Sequence, residues 1–415
     1  MSGERWTHEA ARGVAWGMLA TVTSRLLWLA ATAVLARLLV PAEFGLWALG
    51  LVVILFIDTV GDLGFSSALI QTRGDENEAA QAAFTVNLAV GALWCGTLWL
   101  LAEPIAALVR TPEAAPVLRA LSPAFVIRAA GVTHDALCQK RLRFRDRFLP
   151  EAAMSATKSV AAIALAVAGY GVWALVAAQL AGQAVWAVVL WRVMPWRPKF
   201  LAPQRSVLAE LFVFGRWIVV VNVLAAVVHH ADKLVVGREL GTAALGLYQM
   251  AAKVIEVSIT VWIWVVSRAL FPAFARLHGA GEEMAPAYLR AVRAISLVTL
   301  PGAAGLAIAS HPVVITLFGP AWRDAAPILA ALALAGALRS LGSSAGDVLK
   351  STGESGRLAA LATVKGAVLL PLLGFAAPRG AVAIALALAA TAGLGTILDT
   401  VVVGRRLGVR AGELG

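Results

Sequence analysis

Residues 116–128, PVLRALSPAFVIR, return 211 positions later as residues 327–339, PILAALALAGALR, with Pro116 matched to Pro327 and Arg128 to Arg339. A second match, at an offset of 201, sets LARLLVPAEFGLW at 35–47 against VGRELGTAALGLY at 236–248, so that Arg37 falls on Arg238 and Gly45 on Gly246. Trp16 and Trp217 keep the same offset, and Lys158 in SATKSVAA has a looser counterpart in Lys365 of LATVKGAV. The chain reads as a duplication, and what is duplicated is a set of apolar runs that carry charge.

The 415 residues are 60% hydrophobic and only 14% charged, with a mean hydropathy of +0.81. That lies outside the range of ordinary globular domains and marks a membrane protein. Apolar runs of about twenty residues must be helices in lipid, because hydrocarbon offers no partner to a free backbone group. Twelve such spans are predicted, at 14–38, 45–70, 81–102, 115–138, 151–170, 171–191, 208–236, 243–268, 290–310, 325–349, 357–377 and 380–403. The expected fold is an all-α integral membrane protein with two six-helix lobes around a central cavity, residues 1–203 and 204–415. An even number of spans per half makes the halves parallel, related by a pseudo-twofold axis along the membrane normal, and a transport site is expected where they meet. The opening GERWTHEAARG reads as a retained segment rather than a signal peptide. No Walker loop, dinucleotide fingerprint or metal-ligand cluster occurs in the sequence, so neither an enzyme nor an ATP-driven pump is expected, and no cofactor is implied.

The net charge of +11 does not point to nucleic acid. With the N-terminus inside, the segments between spans divide their Lys and Arg residues 21 inside to 6 outside, the asymmetry that orients membrane proteins. Both termini are therefore expected in the cytoplasm. The basic run QKRLRFRDRF at 139–148 reads as a loop resting on anionic lipid headgroups.

Eight cations fall inside the predicted spans: Arg25, Arg128, Lys158, Arg216, Lys233, Lys253, Arg339 and Lys365. Facing lipid, each would cost about 2.5–3.5 kcal/mol, or roughly 20 kcal/mol together. That exceeds a typical folding stability of about 5–15 kcal/mol. They must be paired or line a wet cavity, and their excess over carboxylates describes a cavity that favours anions. Arg25, Arg128 and Arg339 are deep, and either face that cavity or pair with Asp58, Asp135 or Asp347. Lys158 and Lys365 either reach the cavity or snorkel to headgroups, and Arg216 stands with them. A gradient of protons or sodium ions would need a carboxylate that neutralises on binding. The candidates are Asp58 and Asp62, one turn apart in LFIDTVGDLGF; Glu256, which also stands three residues from Lys253 and so within reach of an intrahelical salt bridge; and Asp232, beside His229 and His230. Cys95 and Cys138 are expected on opposite halves of the membrane, without a disulfide.

The stretch VLARLLVPAEFGLWALGLVVILFIDTVGDLGFSSALIQ at 34–71 resembles the N-terminal signature of the polysaccharide-export flippases, the Wzx-type branch of the multidrug/oligosaccharidyl-lipid/polysaccharide exporter superfamily. The likeness continues through GYGVWALVAAQL at 169–180, DKLVVGRELGTAALGLYQMA at 232–251, LFPAFARLHGAGEEMAPAYLRAV at 270–292 and LFGPAWRDAAPIL at 317–329. The resemblance implies a bacterial inner-membrane flippase that moves undecaprenyl-diphosphate-linked oligosaccharide from the cytoplasmic to the periplasmic leaflet for surface polysaccharides such as lipopolysaccharide. It also implies a polysaccharide polymerase and glycosyltransferases as partners. The cations named above would hold the diphosphate, since Arg offers a bidentate fork and Lys a point charge. Two readings share the fold: a lipid II flippase, whose substrate head is also anionic, and a multidrug antiporter, whose cationic drugs would want an acidic cavity instead.

Overall fold

A computed structural model describes residues 27–61, 69–70, 75–141, 143–199, 205–280 and 283–408. Among the described residues there is no β-strand. The chain divides into two compact units, residues 1–230 and 231–415; the expected boundary at 203/204 lies outside the described residues.

In the first unit, α1 (Leu27–Leu38) and α2 (Pro41–Gly61) precede α3 (Glu76–Leu108), α4 (Ala114–Leu121), α5 (Pro123–Lys140), α6 (Phe144–Val167) and α7 (Val172–Val193). Asp75 starts α3, its carboxylate accepting from the backbone N–H of Asn77 at 2.8 Å and of Glu78 at 3.2 Å, which satisfies donors that a helix N-terminus leaves open. Helix α5 packs against α3 and α7, and α6 packs along α7. The contacts are close because small residues permit them. A side chain at Gly131 would place its first carbon 2.5 Å from the Trp186 ring. The core gathers Phe84, Leu137, Trp186, Leu190, Met194 and Trp196, with His134 stacked on Trp191 at 4.8 Å.

Helix α8 (Arg205–Ile255) begins in the first unit and ends in the second. In the second unit it is followed by a π-helical turn at Glu256–Thr260, α9 (Val261–Ala280), α10 (Ala285–Ile308), α11 (Ser310–Phe318), α12 (Ala325–Ser351), α13 (Ser355–Ala376) and α14 (Ala381–Leu407). Helix α8 is two helices joined across Gly241, whose φ of 84° and ψ of 177° only glycine adopts readily. Helix α12 takes the place of α5, packing against α10 and α14, and α13 packs along α14. Phe274, Tyr288, Val348, Leu349, Leu361 and Val403 form the core.

Eight helices among the described residues are long and apolar enough to cross a membrane. The other predicted spans differ for identifiable reasons. Those at 14–38 and 45–70 lie partly outside the described residues, where the shorter apolar helices Leu27–Leu38 and Pro41–Val52 stand. The spans at 208–236 and 243–268 fall in one continuous run, of which His230–Ser267 is counted once. The span at 151–170 falls in α6, which opens with Arg145, Asp146, Arg147 and Glu151 and is not among the eight. The fourth span is among the eight, as Ala114–Lys140; its helical hydrogen bonding breaks for one residue at Ser122, before Pro123, which supplies no N–H and starts α5 at its first position.

The described part of the basic run at 139–148 covers the end of α5 and the start of α6, and several of its charges are engaged. Arg141 pairs with Glu76 at 2.6 Å, Arg143 with Asp146, and Arg147 with Asp135, while Lys140 donates to the Leu69 carbonyl at 2.9 Å.

Candidate functional site: intramembrane charges

In the first unit Arg128 is exposed on α5, its guanidinium 5.9 Å from the centre of the Trp186 ring. Gly131 stands almost one turn further on and lets α7 come near enough to place that indole. Trp186 also hydrogen-bonds Glu151, on which the charge of Arg128 acts. Asp135, an expected partner of Arg128, is engaged by Arg147. It accepts two hydrogen bonds from Arg147, at 2.6 and 2.9 Å, and one from Gln139 at 3.0 Å. Lys158 stands on α6. Its ammonium lies 4.3 Å from the centre of Trp28 and 5.6 Å from that of Trp47, a pair of aromatic faces that attract a desolvated cation.

In the second unit Arg339 is exposed on α12 and donates to the Thr260 hydroxyl at 2.9 Å. Thr260 closes the π-helical turn, a geometry common at functional sites. Gly336 brings α12 onto Ile255 and Ile259 beside it. The charge acting on Arg339 is that of Asp232, and not of Asp347. Asp232 is buried and accepts a 2.8 Å hydrogen bond from the buried Tyr248 hydroxyl, while its other oxygen is buried without a hydrogen bond among the described residues. Glu256 holds Lys253 at 3.0 Å in an intrahelical salt bridge. Lys365 is bound to both oxygens of Asp399, at 2.7 and 2.6 Å. Arg25 and Asp62 lie outside the described residues, as do the side chains of Asp58 and Arg216.

The residues that complete these sites, Trp28, Trp47, Trp186, Glu151, Tyr248, Thr260 and Asp399, were not singled out for them by sequence. One signal does point to part of the arrangement. The offset that matches Arg128 to Arg339 also matches Gly131 to Gly342, and a side chain at Gly342 would begin 3.0 Å from Thr396 and 3.1 Å from Asp399. An arginine followed three residues later by a glycine on which a later helix packs, α7 or α14, is therefore common to both halves. Likewise Gly182 of α7 lies against Lys158, and Gly395 of α14 against Lys365. Among the described residues no three His, Cys, Asp or Glu side chains gather as metal ligands.

This arrangement has relatives. Residues 34–327 match a family described as "Polysaccharide biosynthesis protein". The succinoglycan biosynthesis transport protein ExoT of Rhizobium meliloti (strain 1021) is 28% identical over 344 residues, spanning 83% of this chain and 69% of that protein. An inward-facing multidrug resistance MATE family transporter of the MOP superfamily superposes with a TM-score of 0.78 at 16% identity, over 93% of this chain and 94% of that one. The lipid II flippase MurJ, in an inward closed conformation, superposes with a TM-score of 0.77 at 15% identity, over 93% and 86%. At such identities the two structures establish a shared fold.

Proposed function

Because this chain belongs to the polysaccharide biosynthesis protein family, we propose that it is a flippase that carries undecaprenyl-diphosphate-linked oligosaccharide from the cytoplasmic to the periplasmic leaflet of a bacterial inner membrane. Twelve spans in two lobes and both termini in the cytoplasm belong to this reading. One observation carries it: Arg128 and Arg339, matched by the internal repeat, both lie exposed on helices that are candidate membrane spans. An arginine so placed costs about 2.5–3.5 kcal/mol if it faces hydrocarbon. Water or an anionic ligand removes that cost, and a diphosphate with a polar glycan is a ligand that cannot cross lipid unaided.

In this mechanism Arg128 and Arg339 each bind diphosphate oxygens during passage, with bidentate geometry available to both. Lys158 and Lys365 are held more firmly, by aromatic rings and by Asp399; Lys158, Arg25 and Arg216 contribute positive potential, while Asp399 offsets the charge of Lys365. The isoprenoid tail stays in the bilayer. Alternating access of the two lobes is driven by a proton or sodium gradient, and Asp232 is the coupling group best supported by its surroundings. One of its oxygens is held by Tyr248 and the other is open to a proton. Asp58 and Asp62 remain candidates for the same role, whereas the carboxylate of Glu256 is engaged by Lys253. The ExoT relative, a transport protein of succinoglycan biosynthesis by name, supports the substrate class. The cationic character of these helices runs against a multidrug antiporter for organic cations.

The test is deletion followed by complementation. Cells without the protein are expected to lose surface polysaccharide and to accumulate the lipid-linked repeat on the cytoplasmic leaflet. Arg128→Ala and Arg339→Ala are expected to lower export about tenfold or more at unchanged protein level, and Asp232→Asn to abolish its response to the ion gradient. Unchanged polysaccharide on deletion overturns the reading, and arrested peptidoglycan synthesis transfers it to lipid II.

A further inference from the structure

A separate site lies at one end of the second unit. A cavity of about 530 Å³ opens between α13 and α14, lined by Arg357, Leu361, Val364, Leu398, Val402 and Arg405, with Arg406 at its rim. The spacing explains the shape. Residues 357, 360, 361 and 364 of α13, and 398, 402, 405 and 406 of α14, each make one helical stripe. The two helices are antiparallel, so the arginines of both stripes meet at one end and the aliphatic side chains run inward from them. Seven residues of helix cover about 10 Å, so the groove is a charged mouth with apolar walls about 10 Å deep. Glu354 engages Arg357 and Arg406, the latter at 2.7 Å. Among the described residues no carboxylate reaches Arg405. Three guanidinium groups against one carboxylate leave the mouth positive.

We infer that this groove binds an acidic phospholipid of the surrounding bilayer, its phosphate on Arg357 and Arg405 and an acyl chain against Leu361, Val364, Leu398 and Val402. The charge selects an anionic head. The walls select a tail: a soluble phosphate would gain nothing from them, and a peptide would bring backbone groups that they cannot satisfy. The site is independent of Arg128, Arg339 and the proposed transport substrate, and tests apart from them.

Native mass spectrometry of the purified full chain, titrated with phosphatidylglycerol or phosphatidylcholine, tests it. Phosphatidylglycerol is expected to be retained at least tenfold more tightly. Each cation near an anionic lipid contributes about 1 kcal/mol, so Arg357→Gln with Arg405→Gln should weaken that retention about 30-fold. Val364→Trp fills the groove from an exposed position and should also weaken it while leaving every charge in place. Equal retention of the two lipids, or undiminished retention by Val364→Trp, overturns the proposal even if the double arginine variant fails to fold. Competition by glycerol 3-phosphate at equal concentration overturns it in favour of a simple anion site. Displacement of phosphatidylglycerol by substoichiometric undecaprenyl phosphate overturns it in favour of an isoprenoid lipid.

Discussion

The two units place a lysine at matching positions and stabilise it by different chemistry. Lys158 points its ammonium at the faces of Trp28 and Trp47, whereas Lys365 is held between the two oxygens of Asp399. Both lie under a glycine, Gly182 of α7 and Gly395 of α14. The arginines behave alike: Arg128 rests near an indole and Arg339 on a hydroxyl. The neighbouring glycine is common to the two lysine sites, and the partner of the cation differs. What both units share is a lysine beside a glycine, rather than one particular bond.

The largest expected effect separates the two lysines. Asp399 is well buried in its pair, with 13% of its side chain exposed, and Asp399→Leu leaves Lys365 without a counter-charge. A cost of about 3 kcal/mol is expected, read as a lower unfolding temperature in detergent, with most of it recovered by the double variant Lys365→Met/Asp399→Leu. Lys158→Met keeps an apolar contact with the tryptophans and should cost under about 1 kcal/mol. Equal losses at the two sites would break the distinction.

The glycines come next. Gly131→Ala drives a methyl into the Trp186 ring at 2.5 Å, where Gly342→Ala meets Thr396 and Asp399 at 3.0 and 3.1 Å. Overpacking of the tighter contact is expected to cost about 1–3 kcal/mol, and that of the looser one less. Because Trp186 also positions Arg128, Gly131→Ala should lower export beyond its effect on protein level.

The smallest effect concerns acid. Glu354 accepts a hydrogen bond from Arg406 and feels the charge of Arg357, which together hold its carboxyl below the usual carboxylate range. A depressed folded-state value means stability that is present above the unfolded value of about 4.3 and lost as pH falls through the folded one. The turn between α12 and α13 should therefore loosen below about pH 4, and Glu354→Gln should remove that component from an unfolding-temperature profile taken between pH 6 and pH 3. The corresponding turn of the first unit carries one ion pair, Arg141 on Glu76 at 2.6 Å.

Much of this was legible in the sequence. Length of apolar run, the repeat at offsets of 201 and 211, and the positions of Arg128, Arg339, Lys158 and Lys365 are one-dimensional facts, and they suffice to expect helices, a duplication and charge in the membrane. The partners were not legible. Asp135 lies seven residues from Arg128 and is a plausible partner for it on a helical wheel, yet Arg147, at the start of α6, reaches it in bidentate geometry. Trp28 and Trp47 have no sequence relation to Lys158, and Asp399 stands 34 residues from Lys365. Serine and proline at 122–123, against alanine and leucine at 333–334, gave a readable reason for one copy of the repeated helix to break and the other to continue.

The sequence alone determined that this chain is helical, belongs in a bilayer and carries cations there, because hydrophobic run length and the cost of an unsatisfied backbone in lipid depend on composition along the chain. Only the tertiary structure decided what each cation touches. Which indole, hydroxyl or carboxylate reaches a charge depends on how closely two helices approach and at what register, and glycines on neighbouring helices set that distance.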